Sequence, residues 1–446
     1  MSNDSLWDSF DDPDEETIKR LLAQLGITPD ADGNIDLEQV MSQMQQLMTN
    51  FSTQMAGFGP SDPGSGINWA FTLDIANQAL SNPKHWKATP EQLQSISDAT
   101  FVANMWLDDE ISFDALPFLP QAWSKSEWLA NTFATWQQLE TPIINSLSAT
   151  MQSMIAFEDS NAAVMAPMIR AAAAGVFSSQ IGRALASLAE QTLSATDVGL
   201  PVTPTPTVAL LPTNIERFGA DLDLPFGDVL LFLALRECAR GRLFRAVGWL
   251  APQLLAMIEH YAREISIDPD ALGKAVEQQL RDSTRVEDLQ SVGLSLANSL
   301  FKPTISPAQR EILDRLETLV ALVEGWVDAV VTQVTRDRMP SAASLAEMIT
   351  RRRASVGSSA DSLHSLLGLE LRPRRLREAR TLWTAIRSYR SAAERDASWS
   401  HPDFIPTAQD LIDPLEYAQH GHQSQSTDDF DLDLEKLLGP DEPAQD

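Results

Sequence analysis

The run Arg236-Glu237-Cys238-Ala239-Arg240 places a carboxylate between two arginines four residues apart. On a helix, residues four apart share a face, so the two guanidinia project to one side. In His-Glu-x-x-His the same spacing sets two imidazoles on one Zn²⁺, while the intervening Glu activates a bound water. Arginine is cationic at any ordinary pH and has no lone pair to give a metal. Arg236 and Arg240 therefore cannot ligate zinc, and Glu237 alone is a weak signal. Taken by itself, the stretch reads as a charged helix turn.

The elements that must position it are helical. DVLLFLALRECARGRLF, from Asp228 onward, reads as a strongly apolar helix with its charges late. ILDRLETLVALVEGWVDAVVTQVT (Ile312–Thr335) reads as a second long apolar helix. Thr89-Pro90-Glu91-Gln92, Ser124-Lys125-Ser126-Glu127 and Ser306-Pro307-Ala308-Gln309 are capping boxes, and Asp268-Pro269 starts a helix by the same logic. Ala162–Leu193 has apolar spacing of three and four, as one or two buried helices would. Residues 197–225 read as loop, with VALLP a short strand within it. Helices are also expected near Glu15–Leu25 and Asp36–Phe58, followed by the linker GPSDPGSG. The expected fold is mainly α: an accessory region over 1–66, a helical domain over 67–417, and a disordered acidic tail over 418–446.

The chain has 446 residues and a formal charge of −29. That charge repels phosphate backbones and argues against nucleic-acid binding. It is unevenly spread. Residues 1–16 carry seven acids and no base, whereas 13 arginines and six acids lie between Arg336 and Arg395. A single cysteine, Cys238, precludes an internal disulfide and fits a reducing cytoplasm. The first residues have no basic and apolar signal regions, and no window approaches the ~18 apolar residues of a membrane span. A cytoplasmic protein with no membrane contact is the expectation.

Several stretches, in order, resemble one bacterial family. They are TDVGLPVTP, ALLPTNIERFG, LFLALRECARGRLFRAVGWLAPQLLAMIEHYAREISID, LETLVALVEGWVDAVV, MPSAASLAEMITRRRA, GLELRPRRLREARTLW and WSHPDFIPTAQDLIDP. Together they are similar to the zincin-like metallopeptidases, also described as hydrolases of unknown function, from about Ile67 to Pro414. The resemblance implies a zincin-like helical core. Intact members carry His-Glu-x-x-His, then an apolar segment with Pro-Trp-Leu, then a Glu-Gly motif that looks like the third ligand. Matched position by position, the two histidines fall on Arg236 and Arg240 and the general base on Glu237. Pro-Trp-Leu falls on Gly248-Trp249-Leu250, and Glu-Gly on Glu324-Gly325. Nearby relatives often have Arg at the first histidine and keep the second; this chain has neither. If the fold joins Glu237 to Glu324, the two carboxylates need a cation, and Arg236 and Arg240 offer forks of donors. An Arg–Glu cluster in place of a metal is the expectation, with Glu324 within roughly 6 Å of an Arg240 side-chain atom.

None of the six histidines pairs with another at metal-ligand spacing. His260 is conceivable as a support behind the site, although a satisfied or exposed histidine is the ordinary reading. His401 in SHPDF reads as structural. Cys238 as a nucleophile needs a base and a lowered pKa, and a lone helical cysteine is usually a small buried residue. Arg351, Arg352, Arg353, Arg374 and Arg375 read as a solvated face, or as a dock for an acidic partner or the chain's own acidic tail. Two functions remain. One is a catalytically silent family member, a pseudoenzyme that binds an unknown protein partner and needs no cofactor. The other is a zinc-dependent hydrolase or peptidase with Glu237 as general base. Loss of two of three expected ligands favours the first.

Overall fold

A computed structural model describes residues 67–80, 87–156, 160–220, 222–264, 306–354, 362, 366 and 373–420. All lie within one compact unit, Ser61–Asp446. The helices expected near 15–25, 36–58 and 268, the linker, and the tail beyond His420 lie outside the described residues.

The chain is mostly helical. In order come α1 (Trp69–Ala79), α2 (Pro90–Asp108), β1 (Gln121–Ala122), α3 (Lys125–Ala156), α4 (Ser160–Gln191), β2 (Ala209–Leu210), α5 (Pro212–Ala220), α6 (Phe226–Ala246) and α7 (Leu250–Arg263). Then follow α8 (Pro307–Thr335), α9 (Ala342–Ala354), α10 (Pro373–Tyr389), α11 (Ala392–Ala397), a short 3-10 turn (Pro402–Phe404) and α12 (Pro414–His420). The three capping boxes form. Gln92 N donates to Thr89 Oγ1 and Gln309 N to Ser306 Oγ, with each glutamine side chain accepting from the cap residue's N–H. Ser124 and Glu127 satisfy each other likewise at the start of α3. The 197–225 segment contains a helix, α5, that its loop-like composition hid; Pro212 opens it at a position where a missing N–H costs nothing.

Two helices form the centre. Residues Val229 to Phe244 of α6 are buried except Leu231, so the helix has no solvent face. The stretch Leu316–Val327 of α8 is buried throughout. These helices pack on each other, α2 covers α6, and α10 covers α8. The α8–α10 contact is close because Gly325 sits in it: a Cβ there would lie 2.6 Å from Ala379 Cβ and 2.7 Å from Arg380 N. The indoles of Trp326 and Trp383 fill the space around this crossing, with Trp383 Nε1 donating to Leu322 O. Helix α8 is long and apolar enough to cross a membrane by length and composition, contrary to the sequence reading. Its apolar surface is spent on packing, since 83% of the window is buried inside the protein.

A small strand region holds one loop against α6. β1 and β2 pair in parallel, Gln121 with Ala209 and Ala122 with Leu210. Ser194 bridges Leu210 from the other side, and Ala195 N donates to Ala209 O. The VALLP stretch is thus a strand, and it anchors residues 193–197 beside the middle of α6.

Candidate functional site

Glu237 lies at the middle of α6 and is 0% exposed. The anchored loop supplies most of its donors. Ser194 Oγ donates to Oε2 at 2.6 Å, Thr196 Oγ1 to Oε2 at 2.9 Å, and Thr196 N to Oε1 at 3.2 Å. One turn on, Arg240 Nη1 reaches the same Oε2 at 2.9 Å. Burial pushes the Glu237 carboxyl above its ordinary value, against the pull of Arg240 and the two hydroxyls.

Glu324 faces this group from α8. Arg240 Nε donates to its Oε1 at 2.6 Å and Nη2 to its Oε2 at 3.3 Å. Arg236 Nη2 reaches Oε2 at 3.0 Å, and Arg353 Nη2, from the end of α9, at 2.5 Å. Burial opposes ionisation here too, yet Arg240, Arg353 and Arg236 outweigh it and hold the carboxyl well below the usual range. Arg240 is itself held charged: burial works against it, and Glu324 and Glu237 more than compensate. Arg236 also binds Asp328, and Arg352 donates to Asp197 at 3.2 Å. Four guanidinia therefore meet four carboxylates. Gly199 makes room for it. Its φ is +77°, and a Cβ would stand 3.2 Å from Glu324 Cγ.

The structure thus brings Arg236, Glu237, Arg240 and Glu324 together. His260 does not join them. It is 64% exposed on the last turn of α7, opposite the face that buries Leu254, Ile258 and Tyr261, and its Nε2 lies 4.0 Å from Glu264. The supporting role considered for it is therefore corrected: its helix face turns it to solvent. Cys238 is buried, and its thiol is pushed up to about 12, first by burial and then by the Glu237 charge, so a thiolate nucleophile is disfavoured. The arginine run divides. Arg352 and Arg353 turn inward to the cluster, Arg375 binds Asp314 and Thr318, and Arg351 is an exposed partner of Glu347. The Arg374 side chain lies outside the described residues.

Sequence reasoning missed Ser194, Thr196, Asp197, Asp328 and the inward role of Arg352 and Arg353. Thr196 and Asp197 open TDVGLPVTP, one of the stretches that carried the resemblance, and Ser194 lies two residues before it. Asp328 lies one turn after Glu324. The signal for the arginines was the surplus of 13 arginines over six acids between 336 and 395, which needed carboxylates from elsewhere.

The donor set does not fit zinc. The guanidinia have no lone pairs, and both oxygens of Glu324 and of Glu237 already accept hydrogen bonds. Among the described residues no group of three or more His, Cys, Asp and Glu side chains is placed to hold a metal ion. What the arrangement does chemically is neutralise two facing carboxylates with fixed guanidinia.

The fold has a counterpart in the crystal structure of "a putative hydrolase with a novel fold" from Chloroflexus aurantiacus. The two are 17% identical with a TM-score of 0.54, and the match covers 79% of this chain and 97% of that one. No curated protein matches the sequence. The family model for zincin-like metallopeptidases matches residues 67–418. By that match, which spans the helical unit and every residue of the cluster, the chain belongs to the zincin-like metallopeptidase family.

Proposed function

We propose that this chain is a catalytically silent member of its family that works by binding another protein, with the Arg–Glu network standing where relatives would hold a metal. The observation that carries this reading is the single Arg240 guanidinium bonded at once to Glu237 and Glu324. Metal-assisted hydrolysis needs nitrogen or oxygen lone pairs around the ion and a base that can reach its water. Here the two histidine positions are cations, and the base position is sealed from solvent with four donors on its carboxylate.

A binding role is supported by apolar side chains left outside. Phe101 and Met105, four apart on α2, are 66% and 48% exposed. Neighbouring exposed apolar side chains of this kind mark interaction surfaces more often than catalytic ones.

The test is metal content by mass spectrometry on untagged protein, after dialysis with zinc and removal of loose ions. Well below one zinc per chain is expected, together with no cleavage of unstructured peptide substrates. About one tightly held zinc per chain would overturn the reading in favour of a zinc-dependent hydrolase with Glu237 as base.

A further inference from the structure

A cavity of about 660 Å³ lies between α3, α6, α7 and the loop that follows Thr196. It is within the size range of small-ligand sites. Its floor is built from buried residues: Thr135 of α3, Thr196, and Gly241 and Phe244 of α6. Prolines 201, 204, 206 and 252, with Leu255, form apolar walls.

Two features define what would fit. The first is charge. Among the described residues no Lys or Arg lines the cavity, and the one acid that does, Glu259, is paired with Arg263. Within a chain of net charge −29, nothing here would repay the desolvation of an anion, and no free carboxylate on the floor would hold a cation. The second is Thr135. It is 7% exposed, lines the cavity, and its hydroxyl donates to no acceptor among the described residues. With no acceptor of its own among the described residues, that hydroxyl is free to donate to a group that enters the cavity. Thr196 forms the same floor, but its hydroxyl is already committed to Glu237.

We propose that this cavity is a binding site for an uncharged, mainly apolar ligand of small-molecule size, seated on Phe244 with a carbonyl-type acceptor bonded to the Thr135 hydroxyl. Through Thr196, the ligand would rest one side chain away from Glu237. The site does not depend on whether the Arg–Glu network is catalytically silent, and its test reads binding alone, so either reading can fail without the other.

The probe is Nile red, a neutral apolar fluorophore that carries a carbonyl, titrated into the full-length protein. One saturable site per chain is expected. Trp substitutions at two exposed wall positions, Ala256→Trp on α7 and Gln138→Trp on α3, should each weaken binding by about tenfold or more. Thr135→Val, which keeps the shape and removes the hydroxyl, should weaken it by several-fold with an unchanged melting temperature. Ala397→Trp, in a second cavity by Trp399, should bind as the wild type does. Non-saturable uptake, wild-type affinity in both wall variants, or tighter binding of an anionic analogue would overturn the proposal.

Discussion

Arg240 Nε lies 2.6 Å from Glu324 Oε1, and both side chains are essentially sealed from solvent. Such a pair is a weak source of net stability, because desolvating two ions costs about what their attraction returns. Removing one partner is another matter, since the remaining charge is stranded. Arg240→Met should destabilise the protein by about 3–5 kcal/mol in urea denaturation, and Glu324→Gln by a similar amount. The double variant should lose clearly less than the sum of the two, because the residues are in direct contact. Strict additivity would mean that they do not act as a pair.

The buried acids set opposite pH dependences. Glu324 has a folded-state pKa below its ordinary 4.5, so its contribution is present above that value and is lost as the pH falls through the folded value. Glu324→Gln should therefore flatten the loss of stability below about pH 4. Glu140 is the reverse case. It is buried, its Oε1 has no hydrogen-bond partner, and burial raises its pKa well above 4.5. A raised acid stabilises at low pH and loses that contribution as the pH rises through the folded value. The stability of Glu140→Gln relative to wild type should thus grow from pH 5 to pH 8, measured by denaturation at each pH. A constant difference would show that Glu140 does not titrate in that window.

Much of this was legible in the sequence because local signals and tertiary needs agreed. The three capping boxes form where their residue order put them, and the apolar runs of α6 and α8 became the two central helices. The meeting of Arg236, Arg240, Glu237 and Glu324 followed from matching positions, with retained carboxylates demanding cations. Other parts were hidden for physical reasons. Arg352 and Arg353 sit in a run whose composition is that of a solvated face, and only the direction of α9 sends them inward. Helix α5 lies in a Pro- and Thr-rich stretch that looks like loop. Glu324-Gly325 was read as a ligand motif, yet its glycine answers to packing against Ala379 rather than to chemistry.

That packing can be tested directly. Gly325→Ala would place a methyl against the backbone N of Arg380, which cannot swing aside as a side chain tip could. Overpacking of a well-filled contact costs about 1–3 kcal/mol, occasionally more. The Cβ of Gly248→Ala would meet nothing within 4 Å, so that variant should lie close to wild type. Similar melting temperatures for the two would mean that α10 retreats freely from α8.

Cys238 offers a chemical readout of the same core. Its thiol is pushed up to about 12 and it is buried in the middle of α6. At pH 8 almost none of it is thiolate, and the side chain is 0% exposed. A thiol-specific disulfide reagent should leave the folded protein untouched over hours. In denaturant it should then titrate one thiol per chain, the single cysteine of the sequence. Rapid labelling of the folded protein would show that α6 opens far more often than its burial implies.

If the arginines stand where a metal would be held, returning imidazoles should return the metal. Arg236→His with Arg240→His places two nitrogen ligands four apart on α6, facing Glu324. The exchange also removes the guanidinia that now occupy Glu324 through Arg236 and Arg240, freeing an oxygen for coordination. Arg353 still bonds Oε2, so Glu324 should ligate through Oε1. The double variant should bind about one zinc per chain by mass spectrometry, and zinc should raise its melting temperature while leaving that of the wild type unchanged. Arg240→His alone should bind zinc far more weakly, because Arg236 remains as a cation beside the site. A double variant that folds, by circular dichroism, and still takes up no zinc would mean that the α6–α8 geometry has drifted from a metal site, and that the network is more than a plug in an otherwise intact one.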